Sequence, residues 1–174
     1  MHLRCVDDLL SFAVEAPAQA QAASKLLRSS GQWLDVVPGM DSVVVRFDAV
    51  KLDQETATRL LRDTLADGIP PLKTKSDAIE IPVVYGGAFG PDLDDLCERL
   101  GLTEDEVIAL HSGGKYCVEL LGFTPGFAFV GGLDERLQVP RRSEPRQRVG
   151  AGSIGIADAY TGMYALASPG GWTI

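Results

Sequence analysis

Three cysteines in 174 residues, Cys5, Cys97 and Cys117, are too few and too scattered for a disulfide framework. No C-x-x-C pair occurs, which removes zinc ribbons and dithiol redox motifs on spacing alone. Reduced thiols in a cytoplasmic protein are the expectation. Histidine is scarcer still, with only His2 and His111. Neither combines with carboxylates or cysteines at metal-ligand spacing, so no metal site is expected. Positive charge is also short: 16 Lys and Arg stand against 24 Asp and Glu, a formal net charge of −8. A protein that neutralises phosphates along a duplex carries a basic face, which argues against nucleic acid and anionic membrane as principal partners. A local basic cluster could still hold one small anion. No apolar run approaches the roughly 18 residues that cross a bilayer. Asp7 and Asp8 break the N-terminal stretch where a signal peptide would need a clean apolar run, which argues against secretion.

What the chain does have is ordinary for a globular protein, 45% hydrophobic and 23% charged. Its length suits one medium domain or two small ones. Residues 9–15 read as a strand. Pro17 suits a helix start, Ala22, Ala23, Leu26 and Leu27 form its apolar stripe, and Gly31 stops it. Strands follow at residues 33–37 and 43–47, separated by the turn residues Pro38, Gly39 and Asp41. Asp53 caps a second helix with Ala57, Leu60, Leu61 and Leu65 as its stripe. Residues 79–85 read as a fourth strand. The order is βαββαβ, the split-βαβ or ferredoxin-like pattern, with two helices on one face of an antiparallel sheet. Residues 1–85 make this first domain and residues 86–174 the second.

Past Tyr85 the character changes. Gly86 and Gly87 make a joint. A short helix opens at Pro91 and stops at Gly101. A second carries the capping box Thr103–Glu106 and ends at Gly113 and Gly114. From Lys115 onward helical periodicity gives way to short β segments divided by Gly and Pro, the pattern of a barrel or sandwich. Too few residues follow to close a barrel, so the β domain is expected to be C-terminally truncated or to take its last strands from elsewhere.

Several short motifs fail on context. Gly150-Ala151-Gly152-Ser153-Ile154-Gly155 matches G-x-G-x-x-G, but no helix pattern follows and no acidic residue lies about 20 positions on. The same residues nearly match a nucleophile elbow, yet His111 precedes Ser153 instead of following it. Gly113-Gly114-Lys115 lacks the Ser or Thr and the spacing of a P-loop. No self-contained ATP site is legible.

Two features remain. In the first, Gly122, Phe123, Thr124, Pro125, Gly126 and Phe127 place an aromatic on each side of a Pro-Gly turn. A hairpin tip with two core aromatics and a ligand-facing turn are both open readings. In the second, the pairs Pro140-Arg141 and Pro145-Arg146 lie beside Arg136, Arg142 and Arg148. Five of the 11 arginines thus fall within 13 residues. The guanidinium fork suits carboxylate or phosphate, with surface pairing to Asp134, Glu135 and Glu144 as the competing reading. His111, at the end of a short helix, is either a cap or buried side chain or a catalytic candidate.

These residues carry a family likeness. Tyr85-Gly86-Gly87, Phe89-Gly90-Pro91-Asp92-Leu93, His111-Ser112 and the run from Leu121 to Phe127 resemble the family of the B subunit of bacterial ATP-dependent 5-oxoprolinase. So do Gly131-Gly132-Leu133-Asp134, Pro140-Arg141, Pro145-Arg146, Val149, Ala151-Gly152-Ser153 and Ser168-Pro169-Gly170-Gly171-Trp172. The likeness also touches allophanate hydrolase subunit 1, the matching region of urea carboxylase, and a sporulation-kinase inhibitor. It implies an α+β chain in which an N-terminal α/β domain precedes a cyclophilin-like β barrel. It implies as partners the homologous C and the A subunits of 5-oxoprolinase. With them the family opens 5-oxoproline to glutamate using ATP, with magnesium as its counterion. ATP is then expected to bind only in the complex.

The resemblance further marks candidate site residues. Arg141 and Arg146 would stabilise anions and, with His111, are the catalytic candidates. Gly122, Phe123, Pro125, Gly126 and Phe127, with Gly152 and Ser153, would supply backbone donors and shape. Tyr160, Ser168 and Gly170 complete the binding candidates. Tyr160 and Ala165 stand where family members usually have Gln and Pro. Other roles that the likeness allows are a component of allophanate hydrolase or urea carboxylase, and a regulator that inhibits a histidine kinase.

Overall fold

Alternation along residues 9–13 sends Leu10 and Phe12 to one side of a strand, where both are buried. That side founds the first of two compact units, residues 1–77 and 78–174, into which the chain divides. The computed structural model describes residues 3–72 and 77–174. His2 lies outside them.

The first unit contains β1 (Leu3–Val6), β2 (Leu9–Ala13), α1 (Pro17–Ser30), β3 (Asp35–Pro38), β4 (Ser42–Arg46) and α2 (Gln54–Thr64). Pro17 opens α1, and Gly31 ends it at φ +66°, its N–H donating to the Arg28 carbonyl. The Asp53 carboxylate accepts the Thr56 N–H at 2.7 Å and starts α2. The antiparallel sheet runs in the order β1-β2-β4-β3. Leu10, Phe12, Val36, Val43 and Val45 from its inner face share one core with Ala20, Ala23 and Leu27 of α1 and Ala57 and Leu61 of α2. Each large aliphatic or aromatic side chain buried there contributes about 1.5–3 kcal/mol.

One expectation is corrected here. Residues 79–85 form no strand, and the edge beside β2 is held by β1. Pro82 removes a ladder donor from the middle of that run. Ile79 is 86% exposed and Val84 68%, so the alternation is present but unused. Residues 78–85 belong to the second unit.

That unit continues with α3 (Leu93–Leu100), α4 (Glu104–Ser112), β5 (Cys117–Leu121), β6 (Ala128–Gly131), a 3-10 turn (Glu135–Leu137), β7 (Arg146–Val149), β8 (Ile154–Ala157), β9 (Tyr160–Met163) and β10 (Ser168–Gly170). Gly101 caps α3 at φ +66°, and the Thr103–Glu106 capping box begins α4. Four antiparallel strands run β5-β6-β9-β8, and β7 pairs with β10. An isolated bridge joins Ile156 to Thr173. Among the described residues the four-stranded sheet stays open, with β5 and β8 at its ends. The unit is therefore mixed α+β with antiparallel sheets.

The sheet has apolar packing on both faces. On one, Ile156 packs with Leu93, Leu96 and Val107 of the helices. On the other, Phe127, Ala157, Tyr164 and Trp172 cluster. Gly155 and Gly162 lie opposite each other in β8 and β9. A Cβ at Gly162 would come within 3.1 Å of the Phe127 ring and 3.2 Å of the Trp172 ring. The bare backbone at this spot lets the two aromatics reach the sheet.

Candidate functional site

Tyr164 is the point at which the sequence-marked residues converge. It is buried, and its ring stands edge-on to Phe127 at 5.3 Å and to Phe123 at 6.5 Å. Its backbone holds the Gly152–Ser153 turn: Gly152 N–H donates to the Tyr164 carbonyl at 2.7 Å, and Tyr164 N–H donates to the Ser153 carbonyl at 2.9 Å. Gly170 lies against the Tyr164 ring with no room for a Cβ. Burial raises the phenol pKa, while the Trp172 backbone and the charges of Arg141 and Arg146 oppose the shift. Tyr164 was not among the candidates read from sequence, because its neighbours come from β7, β10 and two turns.

The turn beside it is strained. Thr124 N–H donates back to the Gly122 carbonyl at 2.9 Å around Phe123, which has φ +68°. That is a γ-turn of the rare positive-φ kind. Thr124, Pro125, Gly126 and Phe127 then form a turn with Gly126 at φ +82° and a Phe127 N–H to Thr124 carbonyl bond of 3.0 Å. Pro followed by a positive-φ Gly is the type II signature. Phe127 is buried, whereas Phe123 is 62% exposed. Phe123 is thus a non-glycine residue at positive φ on an exposed tip, and conformations of that kind cluster at ligand clamps and switch regions. Tyr160, on β9, stands edge-on to Phe129 at 6.0 Å, its pKa raised by burial and by the Glu119 carboxylate. Ser168 sits on β10 opposite Val149, its hydroxyl buried without a partner.

The arginine cluster divides. Arg136 binds Asp134 through two bonds of 2.9 Å, which hold the Asp134 carboxyl down at about 2. Arg146 donates Nη1 to Asp92 Oδ2 at 2.9 Å and Nη2 to Oδ1. Arg142 Nη1 reaches the same carboxylate at 3.1 Å, and so does the Ile174 N–H at 2.8 Å. Burial alone would raise the Asp92 pKa, but the Arg146 bonds, the Ile174 N–H and the two positive charges prevail and lower it. Asp92 is a residue the sequence reading missed as a site member, although its word Pro91-Asp92-Leu93 was in view. Arg141 is open to solvent. Its Nε lies 3.9 Å from Asp158, and its side chain is largely exposed.

His111 lies elsewhere. Its Nε2 is 3.1 Å from Thr161 Oγ1 and its Nδ1 is 2.7 Å from the Tyr85 hydroxyl. Thr161 donates its own proton to the Gly155 carbonyl, so it accepts from His111 Nε2–H, and Tyr85 donates to Nδ1. The ring is thus neutral, and burial lowers its pKa. Tyr116 donates to the His111 carbonyl at 2.6 Å, and burial pushes its phenol up to about 12. Thr161 and Ile156 share the helix-covered face of the sheet, and Gly162 and Tyr164 lie on the aromatic face. The structure therefore does not bring His111 to the arginines and Tyr164.

Beside His111 is a cavity of about 330 Å³, walled by Val83, Phe89, Leu93, Ile154, Ile156 and Ile174 and reached by Tyr85 and Ser153. Among the described residues no Lys or Arg lines it. No group of three or more His, Cys, Asp or Glu among the described residues could hold a metal ion.

A family model described as carboxyltransferase domain, subdomain C and D, matches residues 6–174. The chain is 37% identical over 152 residues to the B subunit of 5-oxoprolinase from Bacillus subtilis, covering 82% of this chain and 63% of that one. It is 40% identical over 171 residues to the B subunit of 5-oxoprolinase from Escherichia coli O157:H7, covering 92% and 76%. The chain thus spans somewhat under two thirds of the length of the first relative and about three quarters of the second. Among solved structures, TTHA0988 superposes with TM-score 0.76 at 34% identity over 95% of this chain and 34% of that one. The urea amidolyase of Kluyveromyces lactis superposes with TM-score 0.78 at 18% identity, over 98% of this chain and 12% of that one, a likeness of fold.

Proposed function

Because this chain belongs to the carboxyltransferase domain, subdomain C and D, family, we propose that it works as one component of an ATP-dependent 5-oxoprolinase in the cytoplasm. The observation that carries the reading is 40% identity over 92% of the chain to a protein named as the B subunit of 5-oxoprolinase. Its partners are the homologous C and the A subunits of that enzyme, and the complex converts 5-oxo-L-proline to L-glutamate. On this reading the open sheet of the second unit is part of a cyclophilin-like barrel, and the first unit is a ferredoxin-like variant.

A lactam carbonyl is a poor electrophile, and phosphorylation of its oxygen would activate it. The residues here do not fit ATP by themselves. The cavity offers no cationic side chain to a triphosphate and the described residues no carboxylate cluster to magnesium. Nucleotide binding therefore rests with the assembled enzyme. What this chain contributes is a surface around Tyr164. Arg141 binds the substrate carboxylate by charge and fork geometry. Phe123 packs on the ring, and the backbone N–H groups of Phe123 and Gly126 orient its polar edge, those of Gly122 and Thr124 being held within the turn. Arg146, with both terminal nitrogens on Asp92, shapes this surface from behind.

The test is reconstitution with the A and C subunits, 5-oxoproline and ATP, reading glutamate. Arg141→Ala is expected to lower kcat/KM by about 10- to 100-fold, the loss of one charged hydrogen-bonding contact. Glutamate formation that does not depend on this chain overturns the reading. The urea amidolyase likeness favours a second reading, a urea-directed carboxyltransferase component, which predicts turnover with a biotin carboxylase and urea instead.

A further inference from the structure

Arg141 leaves a main chain that is pinned on both sides. Two residues before it, the Val139 carbonyl accepts the Asp158 N–H at 2.7 Å. One residue after it, the Arg142 N–H donates to the Gly171 carbonyl, also at 2.7 Å. The Val139 side chain is buried in the helix-side core, and Pro140 has a fixed φ. The backbone at Arg141 therefore has little freedom. The direction of the guanidinium is left to a long side chain with many rotamers.

Asp158 restricts that choice. It is the first of two residues, Asp158 and Ala159, that join β8 to β9 beyond the Ala157–Tyr160 pair. A hairpin loop this short calls for positive φ, and Asp158 adopts +51°. Glycine takes that conformation without steric cost, and aspartate is one of the few others that tolerate it. What aspartate adds over glycine is a carboxylate, and it lies 3.9 Å from Arg141 Nε. One residue thus grips the arginine segment twice, by its N–H at Val139 and by its charge at Nε. Among the described residues no contact engages the terminal nitrogens of Arg141. Those nitrogens keep the end-on fork that two carboxylate oxygens fit. Both partners are largely exposed, so the pair adds little to stability and its consequence lies in orientation. Building on the oxoprolinase reading, we propose that Asp158 is the positioning residue for Arg141. It holds the guanidinium by the Nε edge and presents the terminal N–H pair to the carboxylate of 5-oxoproline. Asp158 acts through Arg141 and not on the substrate.

The test uses the enzyme reconstituted from this chain with the A and C subunits, reading glutamate from 5-oxoproline and ATP. Asp158→Asn keeps a residue that tolerates the turn and removes the charge. It is expected to raise KM for 5-oxoproline about two- to fivefold, the size usual for an exposed ion pair, with kcat and the unfolding midpoint unchanged. In the Arg141→Ala background the same substitution should alter neither constant, because the two residues act as one unit. A merely structural role would move the midpoint and persist without Arg141. In the chain alone, Asp158→Asn should also lower the order of the Arg141 Nε–H in side-chain NMR relaxation. If that variant fails to fold, Asp158→Gly takes its place, since glycine accepts φ +51° freely. An unchanged KM, with Arg141→Ala still impaired, overturns the positioning role alone. A KM that falls does the same, because it shows Asp158 competing with the substrate for Arg141. Arg141→Ala without effect overturns the oxoprolinase site, and the positioning role with it.

Discussion

Asp92 shows how much one side chain can organise. A carboxylate 4% exposed accepts from two arginines and a backbone N–H. Removing one partner of a buried ion pair leaves charge uncompensated, so Asp92→Ala should destabilise the second unit by about 3–5 kcal/mol in denaturant melts. The acid limb of stability carries a signature as well. The Asp92 pKa is lowered in the fold, so its contribution is present above the unfolded value of roughly 3.9 and is lost as pH falls through the folded value. Stability against pH below about 4 should therefore fall less steeply in Asp92→Asn than in the parent. His111 works over a higher window. Its folded pKa is lowered by burial, so the unfolded chain takes up the proton first. Stability should begin to drop as pH falls below about 6.5, and His111→Gln should flatten that drop.

At the scale of elements, Gly162 is the informative position. A Cβ there would lie 2.7 Å from the Ala128 carbonyl and 3.1 Å from the Phe127 ring, neither of which is a flexible tip. Gly162→Ala should cost about 1–3 kcal/mol by overpacking, read as a lower unfolding midpoint. Local chemistry made the helices legible in the sequence: Pro17, Gly31, Asp53, Gly101 and the Thr103–Glu106 box each act within a few residues. The strands at residues 35–38 and 42–46 were legible for the same reason. Residues 79–85 misled because alternation records a capacity to pair, and pairing needs a neighbour that sequence does not display. The Tyr164 cluster was half legible. Its turns announce themselves through Gly and Pro, but the hub that gathers them is set by strand register. The arginines were visible as a group and Asp134 as a surface partner, but the capture of Arg142 and Arg146 by Asp92, 50 and 54 residues away, was not.

For the whole molecule, the division into units at residues 77 and 78 makes a further prediction. Residues 77–82 are exposed and form no helix or strand. Limited proteolysis should cut there first and leave two fragments that resist further digestion, each with its own core. Mass spectrometry of an early time point checks it, and first cuts inside β2 or β9 would contradict the division.

The Asp92–Ile174 contact also sets an order of events during synthesis. The two residues are 82 positions apart, and the carboxylate keeps its arginines in place from the start of α3. The described core of the first unit draws only on residues 3–69, which leave the ribosome early. The second cannot seat Trp172 or satisfy Asp92 until residues 172–174 have emerged, so a nascent chain stalled before them holds a finished sheet joined to an unsealed one. At about 5–20 residues per second, that vulnerable interval lasts several seconds, which makes it the period when chaperones have most reason to bind this polypeptide.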